Sequence, residues 1–213
     1  MGTTKWLLPH APGWVRGPGL RLPLVALGIS GPSIVHSPEE RRCLARHAAG
    51  LKTLVELGVN EGASTRLLRS VMNRDGTLYP VDPFPPGRFG VSFPRLIARV
   101  EVARVRNGTV QWLGMTDVEA AAAVSPLAPG GVDFVFGDFI ATLQAHARGW
   151  RCWRHLIRPG GMFIQSTSQV VPPRTTPEHA TVRFAREVLM RDEEFECIET
   201  VGTFTVLRRR RGR

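Results

Sequence analysis

Between residues 56 and 65 the chain reads Glu-Leu-Gly-Val-Asn-Glu-Gly-Ala-Ser-Thr: a carboxylate, two glycines four apart, then two hydroxyls. That pattern suits a turn wrapped around a polar ligand. Gly58 permits a tight bend straight after a strand, and Gly62 permits close packing where a helix begins. A pyrophosphate is disfavoured here, because the glycine that would let phosphates approach in G-x-G-x-x-G is replaced by Asn60. Glu61 would add a repelling carboxylate, and no Gly-Lys-Ser/Thr of a phosphate loop follows. The loop instead fits a ligand with an amino group, a carboxylate and a sugar. Glu56 offers negative charge to an ammonium, and the free N–H groups of residues 63–65, including Ser64 and Thr65, suit a carboxylate.

Further residues complete such a site. Asp82 lies beyond Gly58 at about the 20-residue distance where an acidic residue grips ribose hydroxyls. Pro83 follows it, and Phe84 is placed to cover an adenine face. Met115, Thr116 and Asp117 follow the third strand and face the adenine edge, with Asp117 as acceptor for its amino group. Gly137-Asp138-Phe139 enters the same crevice. Asp138 reads either as a base that orients or deprotonates an acceptor or as a loop-holding carboxylate. His36 is the second catalytic candidate, set against the plainer reading of a surface histidine. His146 is expected on the solvent face of its helix, and His10, His47, His155 and His179 have no constellation behind them. One carboxylate beside Gln165 and Ser166 is a poor hard-metal site, so no metal is expected.

These residues must be positioned by alternating strands and helices. Ser37, Pro38 and Glu40 spell a capping box that opens a helix closed by Gly50. Strands are expected at 53–57, 77–81, 109–113, 132–136 and 162–165. Helices are expected at 63–72, around Phe93, Leu96, Ile97 and Val100, from 117, at 141–157 and at 177–190. Pro159-Gly160-Gly161 is read as the break before the fifth strand. The runs 195–200 and 203–207 are joined too tightly for a crossover and must be antiparallel. The fold class is therefore α/β: a doubly wound, mostly parallel sheet with an antiparallel ending, whose ligands lie beyond the strand C-termini. Residues 1–33, rich in Gly and Pro, read as a loosely structured arm and a candidate lid; Trp6, Leu7, Leu8 and Trp14 suggest that it docks on an apolar surface. Residues 34–208 form the main domain and 209–213 a basic tail.

Composition narrows the function classes. With 213 residues and 43% hydrophobic content, one core is affordable, and no apolar stretch approaches the roughly 20 residues of a membrane span. The stretch 22–29 could serve a secretory signal, but a long Pro/Gly-rich segment precedes it, so a cytoplasmic protein is expected. Cys43, Cys152 and Cys197 sit in apolar patterns and read as buried thiols of a reduced compartment. The net charge of +10 is nearly all arginine, and the run Arg208, Arg209, Arg210, Arg211 and Arg213 reads as a solvated, frayed tail more readily than as a nucleic-acid arm.

Four motifs in order resemble a known family. Val55-Glu56-Leu57-Gly58-x-x-x-Gly62-x-Ser64-Thr65, Val81-Asp82-Pro83-Phe84, Val132-Asp133-Phe134-Val135-Phe136-Gly137-Asp138 and Leu156-Ile157-Arg158-Pro159-Gly160-Gly161 look like those of class I S-adenosylmethionine (SAM)-dependent methyltransferases. The branch is similar to bacterial small-molecule O-methyltransferases of antibiotic and sugar tailoring. The resemblance covers about residues 37–208 and implies a Rossmann-like sheet of seven strands with the last reversed. It also implies Glu56, Gly58, Gly62 and Ser64 around the methionine part, Asp82 on the ribose and residues 116–117 at the adenine. The branch often carries a histidine after the fourth-motif Asp and His-Asp after strand five; Phe139 and Ser166-Thr167 stand there instead. The expected reaction is methyl transfer from SAM to a small-molecule hydroxyl of a secondary metabolite or sugar. The alternatives are a catalytically altered binding or assembly protein and an RNA methyltransferase. Expected partners are a small-molecule acceptor and at most a second copy as a homodimer, with no nucleic acid and no membrane.

Overall fold

The computed structural model describes residues 18–87 and 90–212. Among the described residues seven α-helices, α1 (Pro18–Ala26), α2 (Pro38–Ala48), α3 (Ala63–Val71), α4 (Phe93–Ala103), α5 (Asp117–Val124), α6 (Leu143–Trp153) and α7 (Ala180–Glu187), interleave with strands. The strands are β1 (Thr53–Leu57), β2 (Thr77–Val81), β3 (Thr109–Val110), β4 (Val132–Gly137), β5 (Ile157–Gln165), β6 (Phe195–Val201) and β7 (Phe204–Arg209). They form one sheet in the order β3-β2-β1-β4-β5-β7-β6. β1 to β5 pair in parallel, while β7 runs antiparallel to both β5 and β6. The doubly wound sheet with a reversed β7 is thus the observed architecture.

Strand periodicity divides the core in two. Leu54, Leu78, Phe134, Phe136, Ile164 and Phe204 pack with Leu44 of α2 and Leu68 of α3 on one face. Val55, Leu57, Tyr79, Val81, Val135 and Phe163 pack on the other with Ala120, Trp150, Trp153 and Phe184. The alternation runs to the end of β1: Glu56 falls in step with the α2–α3 face, and Leu57 with the α5–α6 face. Strand order reverses between β1 and β4, which opens a crevice at their C-terminal ends.

The capping box at α2 is formed as read, with Ser37 accepting from Glu40 N and the Glu40 carboxylate accepting from Ser37 N. A second box, Thr116 with Glu119, opens α5. Several readings need correction. The arm is not unstructured throughout, since residues 18–26 form α1; the docking residues Trp6, Leu7, Leu8 and Trp14, and His10, lie outside the described residues. No periodicity announces this two-turn helix, which contains Pro23 and is held by contacts from elsewhere in the chain: Val25 is fully buried and its carbonyl accepts from Arg104. Pro159-Gly160-Gly161 does not precede β5 but lies inside it, where the register against β4 shifts as at a bulge. β3 is cut to two residues, with Leu113 rejoining as a single bridge to Val81.

α6 and α7 are shorter than their apolar patterns, because Thr142 caps the first and a 3-10 turn at Leu189–Arg191 follows the second. α4 buries Ile97, Ala98, Glu101 and Val102, a face rotated from the predicted one; Leu96 is exposed. Cys43 is buried, but Cys152 is half-buried and Cys197 exposed. The basic tail also starts later than read. Arg208 and Arg209 belong to β7, and Arg209 binds Glu194 (2.7 Å) and the carbonyl of Ile157 (2.6 Å). No described helix is long and apolar enough to cross a membrane.

Candidate active site

The crevice is built by the ends of four strands, β2, β1, β4 and β5, each hydrogen-bonded to the next. Gly58 N donates to Val81 O (2.9 Å), Asp138 N to Leu57 O (2.7 Å) and Ser166 N to Gly137 O (2.9 Å). Gly58 adopts φ +90°, and a Cβ there would press on the backbone of Asp138, 2.8 Å from its carbonyl carbon. Gly62 (φ +79°) lies as close to Ala98 of α4. Both glycines therefore answer to backbone geometry and to close packing together. Asn60 also takes a left-handed conformation.

Asp82 ties this turn to β2. Its Oδ2 accepts from Val59 N (3.0 Å) and Asn60 N (3.4 Å), and its Oδ1 from Phe84 N (2.7 Å). The two segments read as clasping one ligand are therefore adjacent. Pro83 is exposed, whereas the Phe84 ring is buried with Val59, Ala98 and Trp112, so it braces the turn.

Glu56 is fully buried. Thr65 Oγ1 donates to its Oε2, while Oε1 has no partner among the described residues. Burial pushes its carboxyl up to about 8 against the pull of the Ser64 and Thr65 hydroxyls, and the charges of Asp138 and Asp82 push the same way. At the start of α5 Asp117 Oδ2 is likewise buried against Gly149 without a partner among the described residues, and burial raises its carboxyl. Leu57 and Phe139 line the same small pocket, and Met115 packs beside them. Two carboxylate oxygens, one at the end of β1 and one at the start of α5, thus have no donor among the described residues, and donors from a ligand would satisfy them. An ammonium is a donor of the kind the Glu56 carboxylate lacks, and an amine is one of the kind Asp117 lacks.

His36 and Asp138 meet at the mouth. His36 Nε2 lies 3.2 Å from Asp138 Oδ2, with its side chain only 8% exposed. Its ring meets Phe136 and Phe204 edge-on, at centroid distances of 5.6 and 5.1 Å. Its neighbours are anchored on both sides, since Val35 O accepts from Arg174 (3.0 Å) and Ser37 N donates to Glu40 (2.7 Å). Ser166 donates to Asp138 Oδ1. His36 is thus not a surface histidine.

His146 is a correction: it is buried, not solvent-facing. It stacks on Phe184 (16° between planes, centroids 5.1 Å apart) and touches Phe139, and burial, with help from His179, lowers it to about 4. Its spacing matched the solvent face only if α6 were covered on one side; α7 covers the other. His47 is not isolated either, since its Nε2 lies 2.9 Å from Glu199, near Cys43. Sequence reasoning missed Arg21. Its guanidinium binds both oxygens of Glu61, at 2.6 and 2.7 Å, and Ser33 N donates to the same carboxylate (2.6 Å). No local pattern signals a pair 40 residues apart.

Sheet order, reversed β7 and the crevice at the β1–β4 switch define a class I, Rossmann-like methyltransferase. The sequence profile of the methyltransferase-domain family matches residues 55–165, more than half of the chain, and the chain belongs to that family; it is a SAM-dependent methyltransferase. Solved structures of similar fold include a protein from Corynebacterium glutamicum (TM-score 0.63, 16% identity, 96% of this chain and 93% of that one). An O-methyltransferase from Bacillus cereus in complex with SAH gives TM-score 0.61 at 17% identity, covering 96% and 94%. A cofactor-bound protein from MTB gives 0.60 at 19%, covering 92% and 90%. At these identities the likeness is one of fold. No curated protein matches the sequence.

Proposed function

We propose that this chain transfers a methyl group from SAM to a hydroxyl of a small molecule, of the kind found in secondary metabolites, and that Asp138 with His36 takes the hydroxyl proton. The single observation carrying this reading is the His36–Asp138 contact at the C-terminal end of β4. SAM, when bound, supplies a methyl carbon on a sulfonium that is its own leaving group. The chain's task is then to hold the acceptor in line, exclude water and accept one proton. Glu56, Ser64 and Thr65 would hold the amino-acid end, with Gly58, Asn60 and Gly62 shaping the turn. Asp82 would meet the ribose, while Met115, Thr116, Asp117 and Phe139 would surround the adenine. Asp82 also has the second duty of holding the turn itself.

The donor set at the mouth is one carboxylate already engaged by Ser166 and His36, which suits proton transfer better than a hard divalent ion. The SAH-bound Bacillus cereus O-methyltransferase supports the cofactor and the oxygen acceptor by likeness of fold. An RNA substrate has less in its favour, because Arg208, Arg209 and Arg210 pair with Glu194 and Glu196.

Calorimetric titration with SAH tests the cofactor half: binding is expected, and none at millimolar SAH overturns the reading. The proton-transfer half predicts that Asp138→Asn and His36→Gln bind SAH normally while methyl transfer to an acceptor falls by about 10²–10⁴. Unchanged turnover in both would remove their role.

A further inference from the structure

Beside the mouth lies a cleft of about 390 Å³, within the range of roughly 300–1,000 Å³ usual for small-molecule pockets. It runs between the 31–36 segment, α2 and α3, and His36 and Ser64 both belong to its lining. His36 reaches Asp138, and Ser64 sits at the start of α3 next to the cofactor turn. A molecule in this cleft therefore abuts His36 of the proton-accepting pair and Ser64 at the methionine end of the crevice.

The walls say what kind of molecule. Pro32, Ile34, Leu44, Ala63, Leu67 and Val105 make the lining mostly apolar. A sugar, with a hydroxyl on most of its carbons, would leave most of its groups unpaired against such walls. Two guanidiniums complete the lining. Arg66 is neutralised by Glu101 at 2.8 Å, whereas Arg41 has no carboxylate partner among the described residues. The two adjoining spaces thus carry opposite charge. Asp82 and Asp138 make the crevice acidic, and Glu56 joins them once it gives up its proton, as a sulfonium and an ammonium require, while Arg41 leaves the cleft basic.

We infer that the cleft is the acceptor pocket, and that its occupant is a hydroxylated molecule with an apolar, ring-sized body and one anionic group, carboxylate or phosphate, paired with Arg41. This rests on the methyl-transfer reading for the role of the occupant, and it revises the acceptor away from sugars.

The test uses the full chain saturated with SAH. Hydroxyaryl carboxylates of one and two rings, the matching aryl phosphates, their neutral carboxamides and methyl glucoside are titrated by calorimetry. Carboxylates or phosphates are expected to bind at least tenfold tighter than the amides, with the glucoside silent; the stronger of the two anion series identifies the anion. Arg41→Gln should erase that preference, and Leu67→Trp should abolish all binding by filling the cleft. Both variants should keep wild-type SAH affinity, which shows that they are folded. If Leu67→Trp loses SAH binding, the milder Leu67→Phe, expected to weaken aryl binding at least tenfold, replaces it. If SAH fails to bind the wild type, the methyl-transfer reading fails. If SAH binds but no aryl anion does, or Arg41→Gln leaves the preference intact, or the glucoside binds best, the acceptor inference alone is overturned.

Discussion

Arg21 grips both carboxylate oxygens of Glu61, joining the N-terminal helix α1 to the turn that follows β1. Glu61 is 8% exposed and also accepts from Ser33 N, so the chain on both sides of the 27–32 segment is fastened to one side chain. The notional repulsion of Glu61 toward phosphate is real chemistry, but here the charge serves as an anchor for the arm.

Removing Arg21 leaves that carboxylate with one partner. Arg21→Met is expected to cost about 1–3 kcal/mol, less than a fully buried pair because Arg21 is partly exposed. Proteolysis within residues 27–35 should accelerate, and SAH should slow it again. A variant cleaved no faster than wild type would mean that the ion pair does not hold the arm.

Asp82 carries two loads that substitution can separate. Asp82→Ala strips an acceptor from three backbone N–H groups and should lower stability by about 1–3 kcal/mol as well as abolish SAH binding. Asp82→Asn keeps one acceptor oxygen, so it should recover part of the stability but little of the affinity. Thermal melting beside calorimetry checks this, and an Asp82→Ala protein that binds SAH like wild type would sink the ribose assignment.

Gly58→Ala places a methyl group against the Asp138 backbone at a φ that disfavours side chains. The expected loss is about 2–4 kcal/mol, with the strand ends forced apart. Denaturant unfolding measures it. A loss below about 0.5 kcal/mol would show that the two strand ends are not in contact.

Two buried groups should pull stability in opposite directions with pH. Glu56 is raised from 4.5 to about 8, so between those values the unfolded chain has lost a proton that the folded chain keeps, and stability falls as pH rises. His146 is lowered from 6.5 to about 4, so in that window the unfolded chain holds the extra proton, and stability falls as pH drops. Each contributes a slope of about 1.4 kcal/mol per pH unit at most. Their effects oppose between 4.5 and 6.5. Glu56→Gln should therefore steepen the acid-side loss, and His146→Leu should reverse its sign. Denaturant melts at pH 4.5, 5.5 and 6.5 read both; parallel profiles for the two variants would contradict the burial assigned to them.

Glu56 also couples to the cofactor. Holding an ammonium requires its ionised form, so SAH binding between pH 6 and 7.5 should release a proton and weaken as pH falls, by up to about tenfold per unit. Calorimetry in buffers of different ionisation enthalpy counts the proton. Glu56→Gln should release none.

What was legible in the sequence was whatever is encoded locally. The capping box at Ser37–Glu40, the short apolar runs of β1, β2 and β4, the tight connection between the last two strands and the glycine spacing of the turn are all short-range, because they depend on backbone dihedrals and on the residues next in sequence. Those features sufficed for the sheet, its reversed ending and the run from Glu56 to Thr65. Others were set only by tertiary packing. The burial of His146 under α7, the rescue of a Pro-containing α1 by Arg104 and Glu61, the extension of β5 through Pro159-Gly160-Gly161 and the recruitment of Arg208 and Arg209 into β7 each depend on a partner distant in the chain. The contact of His36 with Asp138 belongs to the same class: each residue could be named from its neighbours, but the 3.2 Å between them is a product of the folded chain. Pairwise chemistry across a hundred residues has no local signature, since it is the free energy of the whole packed core, and not the propensity of either segment, that brings the two side chains together.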